Sequence, residues 1–144
     1  MQPEPVGALL AGSADFITSA RRARKMLGGG MRQAGIIAAA GLVALRTGID
    51  RLSQDHARAR RLAAELAAMP GLKTDPAAVE TNFVMIDTEG WGIGAEKLVA
   101  DLKARGIRAS ARPPFTVRFV THRLIGDAEV GTLTDALRDI HRQL

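Results

Sequence analysis

Three consecutive glycines, Gly28-Gly29-Gly30, separate two segments of opposite character, and no regular element is expected to run unbroken through them. Before them, Ser13-Ala14-Asp15 followed by Phe16, Ile17, Ala20, Ala23 and Leu27 predicts a capped helix with apolar residues three and four apart. After them, Met31 to Leu45 is almost entirely apolar and rich in small residues. A helix apolar on every side is expected to be buried, in its own core or by a partner. With Cβ removed at three positions, the backbone can turn at positive φ or let another group come very close, and the segment alone favours neither.

A second long helix is predicted from Ile49 to Met69, with Ile49, Leu52, His56, Ala59, Leu62, Ala63 and Leu66 on one stripe, stopped by Pro70-Gly71. Beyond a polar loop the pattern changes. Thr81 to Asp87 has the apolar and β-branched content of a buried strand. Glycines at 90, 92 and 94 make a turn, a helix follows from Ala95 to Arg105, and a short strand at Ile107 to Ala111 completes an expected β-α-β unit. Pro113-Pro114 then precedes a strand at Thr116 to Thr121. The last helix, Asp127 to Leu144, places Val130, Leu133, Leu137 and Ile140 on one face and its acids Asp127 and Glu129 where the helix dipole favours them. The expected organisation is an Ala-rich helical part over 1–69 and a compact α+β part over 70–144, giving an α/β class overall.

The sequence has no Cys, which removes disulfides and thiolate metal sites from consideration. Its longest apolar run, Gly35 to Leu45, falls short of the ~20 residues that span a bilayer. Met1-Gln2-Pro3-Glu4-Pro5 lacks the basic start and apolar stretch of a signal peptide, so a cytoplasmic protein is expected. The net charge of +5 is compatible with several anionic partners. Its densest clusters, Arg21-Arg22 with Arg24-Lys25 and then Arg58 with Arg60-Arg61, are spaced as solvated helix faces. Nucleic-acid binding is not expected, because neither base-stacking aromatics nor a recognisable module appears.

Gly90-Trp91-Gly92-Ile93-Gly94-Ala95 formally fits a dinucleotide-binding turn between strand and helix, but no acidic residue ends the next strand to hold a ribose. His56, His122 and His141 have no metal-ligand spacing, and no serine sits in a strand-to-helix nucleophile elbow. Two arginines stand apart from the solvated ones. Arg32 follows the glycines near a helix start, where backbone N–H groups favour a phosphate. Arg118 interrupts the apolar strand Phe115 to His122, where a buried guanidinium requires an anion and matches a carboxylate with two parallel hydrogen bonds. The other reading of Arg118 is an outward-facing residue of an edge strand.

The string Arg24-Lys25-Met26-Leu27-Gly28-Gly29-Gly30-Met31-Arg32-Gln33-Ala34-Gly35, followed by Ala38-Ala39-Ala40-Gly41, resembles the signature of low-specificity L-threonine aldolases. The resemblance continues through Pro5-Val6-Gly7, Asp55-His56, Glu80-Thr81-Asn82 and Val117-Arg118-Phe119-Val120-Thr121-His122. It implies the C-terminal part of a fold type I enzyme dependent on pyridoxal phosphate, a homotetramer that cleaves β-hydroxy-α-amino acids into glycine and an aldehyde. By the same resemblance, Arg32 binds the cofactor phosphate across a subunit interface, Lys25 lies near that site, and Arg118 holds the substrate α-carboxylate.

In the resembled family the lysine that forms the Schiff base precedes the Pro-Val-Gly segment and so falls upstream of Met1. The large N-terminal cofactor domain, its ring-stacking histidine and the acid on the pyridine nitrogen belong there too. The expectation is therefore a C-terminal part with no catalytic residue of its own, inactive without the missing N-terminal part and joined to further copies. A non-catalytic module that binds a partner through the apolar Met31 to Leu45 helix is the alternative.

Overall fold

The computed structural model describes residues 7–144. The expectations for Met1 to Pro5, and the Pro5-Val6 part of the resemblance, lie outside the described residues. The helices are α1 (Ala14–Met26), α2 (Gly35–Thr47), α3 (Leu52–Ala67), α4 (Ala95–Ala104) and α5 (Asp127–His141), and the strands are β1 (Phe83–Asp87), β2 (Ser110–Arg112) and β3 (Thr116–Val120). Packing divides the chain into two units, one ending at Ile49 and the other running from Asp50 to Leu144.

In the first unit, the Ser13 side chain accepts the Phe16 N–H at 3.3 Å and starts α1 as its sequence predicts. None of the α1 residues is buried. The helix ends in paired backbone bonds, Gly28 N–H to Lys25 O at 3.2 Å and Gly29 N–H to Arg24 O at 2.8 Å, with Gly28 at φ +84°. That is a Schellman closure, which needs a left-handed residue just past the helix. The apolar run after the glycines becomes a helix only from Gly35, because 32–34 form a turn in which Gln33 takes φ +52°. Its expected burial is not found among the described residues. Only Gly41 and Ala44 of α2 are buried, while Ile36 is 79% exposed and Leu42, Val43 and Leu45 about half.

In the second unit α3, α4 and α5 cover one side of a three-stranded antiparallel sheet ordered β1-β3-β2. The expected β-α-β unit is corrected in one respect. β1 and β2 flank α4 in sequence, but β3 lies between them and pairs with both, with Met85 and Ser110 each opposite Arg118. The second strand is also shorter and later than expected, Ser110–Arg112, because 107–109 do not pair. Alternation along the strands sends Val84, Ile86, Val117 and Phe119 into the core with Leu62, Leu66, Leu98, Leu102, Val130 and Leu137.

The buried stripe of α3 is Asp55, Ala59, Leu62, Ala63 and Leu66, so α3 packs with this unit, and Asp55 rather than His56 is the buried polar residue. Asp55 faces Arg58 at 3.6 Å and Arg51 at 3.9 Å. Arg58 and Arg61 both reach Asp127 Oδ1, at 3.3 and 3.2 Å, and thereby tie α3 to the start of α5. Two arginines expected on a solvated face thus join an ion-pair network.

The glycine-rich turn after β1 serves packing. A Cβ on Gly90 would stand 2.4 Å from the Gly71 carbonyl oxygen, and Trp91 donates its indole N–H to Pro70 O at 2.6 Å. Replacing Gly90 with Ala forces two backbones apart, and a loss of about 2 kcal/mol in urea unfolding is expected.

Candidate functional site

Lys25 and Arg32 sit on either side of the glycine turn. Lys25, in the last turn of α1, folds back over the glycines, so that a Cβ built on Gly30 would lie 2.9 Å from its Nζ. A Cβ on Gly29 would lie 2.6 Å from Arg24 Cγ. The three glycines make a left-handed turn at Gly28, and the groups that come close at Gly29 and Gly30 are the chain's own Arg24 and Lys25. Arg32 is exposed in the turn that leads into α2. The N-cap there is Ala34, which offers no side-chain acceptor, and the first turn of α2 has no acid. The Ile36 N–H is taken by Gln33 O at 3.2 Å, so the guanidinium, the nearby ammonium and the other amides at the start of α2 make the donor set suited to a phosphate.

Arg118 belongs to the other unit. It occupies the middle of the central strand, so it is not on an edge, but it faces outward from the side of the sheet opposite the helices, as the other reading held. Phe83, Met85 and Val120 project from the same side and are 47%, 42% and 36% exposed. The guanidinium carbon lies 5.2 Å from the Phe83 ring centroid, within cation–π range. Its Nε is buried and has no hydrogen-bond partner. The anionic partner expected from the sequence is not found among the described residues. A half-buried cation beside an aromatic face, with an unsatisfied N–H, has the chemistry to pair with a carboxylate.

The histidines form no metal-binding group, and no His/Asp/Glu cluster suited to a metal is present among the described residues. His56 is half-buried on α3, and His141 stacks on Trp91 with ring centroids 4.6 Å apart. His122 Nδ1 accepts the Leu124 N–H at 3.3 Å. Burial lowers its pKa below the ordinary imidazole value, helped by nearby positive charge including Arg123 and opposed by the Asp55 carboxylate. Since the folded state then binds its proton more weakly than the unfolded chain, His122 weakens the fold as pH falls through the imidazole range. Substituting His122 with Gln is expected to flatten the stability profile between about pH 7 and 5, measured by denaturation at each pH.

Sequence reasoning missed Phe83 as the partner of Arg118. The signal was a register: Phe83 and Met85 alternate with the buried Val84 and Ile86, but which strand lies beside them is not legible locally. It also missed Asp55 as a buried carboxylate and the Trp91–His141 stack, which join residues far apart in the chain.

Residues 4–89 match the family model described as beta-eliminating lyase. Over 127 residues the chain is 43% identical to the probable low-specificity L-threonine aldolase 2 of Arabidopsis thaliana, covering 88% of this chain and 36% of that protein. Over 120 residues it is 43% identical to the low specificity L-threonine aldolase of Escherichia coli K12, covering 82% and 33%. The chain spans about a third of the length of these curated relatives. Among solved structures, a lysine-to-alanine mutant of C-DES with glycine covalently linked to its PLP cofactor aligns with a TM-score of 0.61 at 21% identity. That alignment covers 74% of this chain and 28% of that one.

Proposed function

We propose that this chain, which belongs to the beta-eliminating lyase family, forms the C-terminal part of a lyase that cleaves β-hydroxy-α-amino acids such as threonine to glycine and an aldehyde. Its fold is that of the α/β C-terminal part of fold type I enzymes. In this reading 1–69 are the end of the large cofactor domain with a connecting helix, and 70–144 are the small domain. The connecting helix, α3, shares its core with the small domain.

The observation that carries the reading is the half-buried Arg118 guanidinium with an unpartnered Nε–H. Arg118 takes the substrate α-carboxylate, and its fork fixes the direction in which the amino acid presents its Cα bonds. Phe83 holds the guanidinium plane in place and shields it from water on one side. Arg32 and the amides at the start of α2 that make no backbone bond hold the cofactor phosphate, and Lys25 adds positive charge at the same turn. Pyridoxal phosphate held there would supply an electron sink for Cα–Cβ cleavage.

The resemblance gives none of residues 1–144 the role of the lysine that bonds the cofactor, so cleavage requires the rest of the relatives' length. Assembly with that part and with further copies would also cover the exposed apolar side chains of α2. A cytoplasmic homotetramer in amino-acid metabolism belongs to the same proposal. The alternative, a non-catalytic module, rests on α2 alone and leaves the Arg118 guanidinium without a role.

The test is direct. The purified chain is mixed with pyridoxal phosphate, desalted, and read for retained visible absorbance and threonine cleavage. Neither is expected from the chain alone, and retention with turnover would overturn the dependence on the remaining length. In the complete enzyme, replacing Arg32 with Ala is expected to weaken cofactor affinity by about 10- to 100-fold, as the loss of one charge-assisted phosphate contact implies.

A further inference from the structure

The ladder between β2 and β3 stops at Ser110 opposite Arg118. Continued, the register would set Ala109 opposite Phe119 and Arg108 opposite Val120, but 107–109 carry no strand and the ladder leaves a gap there. Thr121 N–H bonds to Asn82 O at 3.0 Å, toward β1, so alternation turns the Val120 amide and carbonyl toward the gap. Behind the gap lies a cleft of about 410 Å³. Its floor is apolar, made by Leu62, Phe119, Val130 and Leu133.

Its rim carries Arg105, Arg108 and His122. Arg105 donates to Asp101 O at 3.1 Å and to Gln143 Oε1 at 3.4 Å, both neutral acceptors, so its charge is not cancelled. Arg108 enters no ion pair among the described residues. With Nδ1 of His122 accepting from Leu124, its neutral ring carries the proton on Nε2 and is a donor. Glu129, the acid on the rim, is engaged by the Gly126 N–H at 2.8 Å. A pit with an apolar floor and polar groups among its lining residues has the anatomy of a small-molecule site.

We propose that this cleft binds a monocarboxylate with a short apolar chain, the chain on the Leu62–Leu133 floor and the carboxylate between Arg105 and Arg108. A dianion is disfavoured by the fixed charge of Glu129. The site is separate from that proposed for the amino acid, because Arg118 and Phe119 are consecutive on a strand and point to opposite sides of the sheet.

The chain is titrated with hexanoate, acetate and 1-hexanol while backbone amide NMR shifts are followed. Hexanoate is expected to saturate in the millimolar range, with shifts at Phe119, Val120, His122 and Ile125, and acetate and hexanol to bind at least ~10-fold more weakly. Arg108→Ala is expected to weaken hexanoate about tenfold. Arg108 is exposed and without an ion pair, so its removal leaves the fold intact. Absence of saturation by about 10 mM, equal binding of hexanol and hexanoate, an unchanged affinity in Arg108→Ala, or shifts centred on Met85 and Ser110 would each overturn the proposal.

Discussion

Replacing Arg118 with Met is expected to leave the isolated chain as stable as before, within about 1 kcal/mol, while removing most of the activity of the enzyme it helps to form. The first half follows from the environment. The guanidinium has no carboxylate partner among the described residues and a buried Nε without an acceptor. What it gains is the face of Phe83, worth about 0.5 to 1 kcal/mol. A Met keeps contact with Phe83 and Met85 and removes the unsatisfied donor, so gain and loss nearly cancel. The second half follows from the role proposed. Truncating one partner of a desolvated ion pair costs about 3 to 4 kcal/mol, which is a fall of about 10²- to 10³-fold in kcat/KM for threonine. Arg118→Lys restores charge but not the fork, and about a tenth of the lost activity should return. Denaturation of the isolated chain and steady-state kinetics of the complete enzyme measure the two halves separately. A strongly destabilised Met variant would mean that Arg118 is structural.

The other large effect is expected at Leu66, where substitution by Ala should cost the Asp50–Leu144 unit about 3 kcal/mol. Leu66 is fully buried on α3, within the same core as Val84, Ile86 and Leu137. The hole left there is walled by a sheet and a second helix and cannot close by moving a loop. For a unit of this size, with about 5 to 14 kcal/mol of stability, that is a fifth or more of the total. Trp91 is the only tryptophan of the chain and lies in this unit, so its emission follows the transition without a label. A midpoint unchanged by Leu66→Ala would mean that α3 is not part of this core.

Much of this arrangement is legible in the sequence because it is written in local patterns. Ser13 and the apolar spacing after it mark α1, Pro70-Gly71 marks the end of α3, and the alternation at 116–120 marks β3. The long Arg24 to Gly41 string is legible as a family signature for a different reason: its order is too unusual to arise from helix-forming needs alone. What stays hidden is pairing across distance. The insertion of β3 between β1 and β2 depends on the closure of long loops, and no short-range pattern records it. The burial of Asp55 is hidden likewise, since Arg58 and Asp127 meet only after α3 and α5 dock. Arg118 shows both sides of this. Its oddity in an apolar strand is plain from the sequence, but the reason it can be tolerated, the Phe83 face, is a product of register.

The strand order also governs how the chain folds while it is being made. β3, the middle strand, is the last of the three to be synthesised, so neither β1 nor β2 has its neighbour when it first emerges. At about 5 to 20 residues per second, β1 waits a few seconds with Val84 and Ile86 ready to pair with any other extended segment nearby. Helix α3 precedes β1 and packs against it in the finished unit. Its Ala59, Leu62 and Leu66 stripe is therefore available as a temporary shelter, and the order of elements gives the nascent sheet an escort made from its own chain.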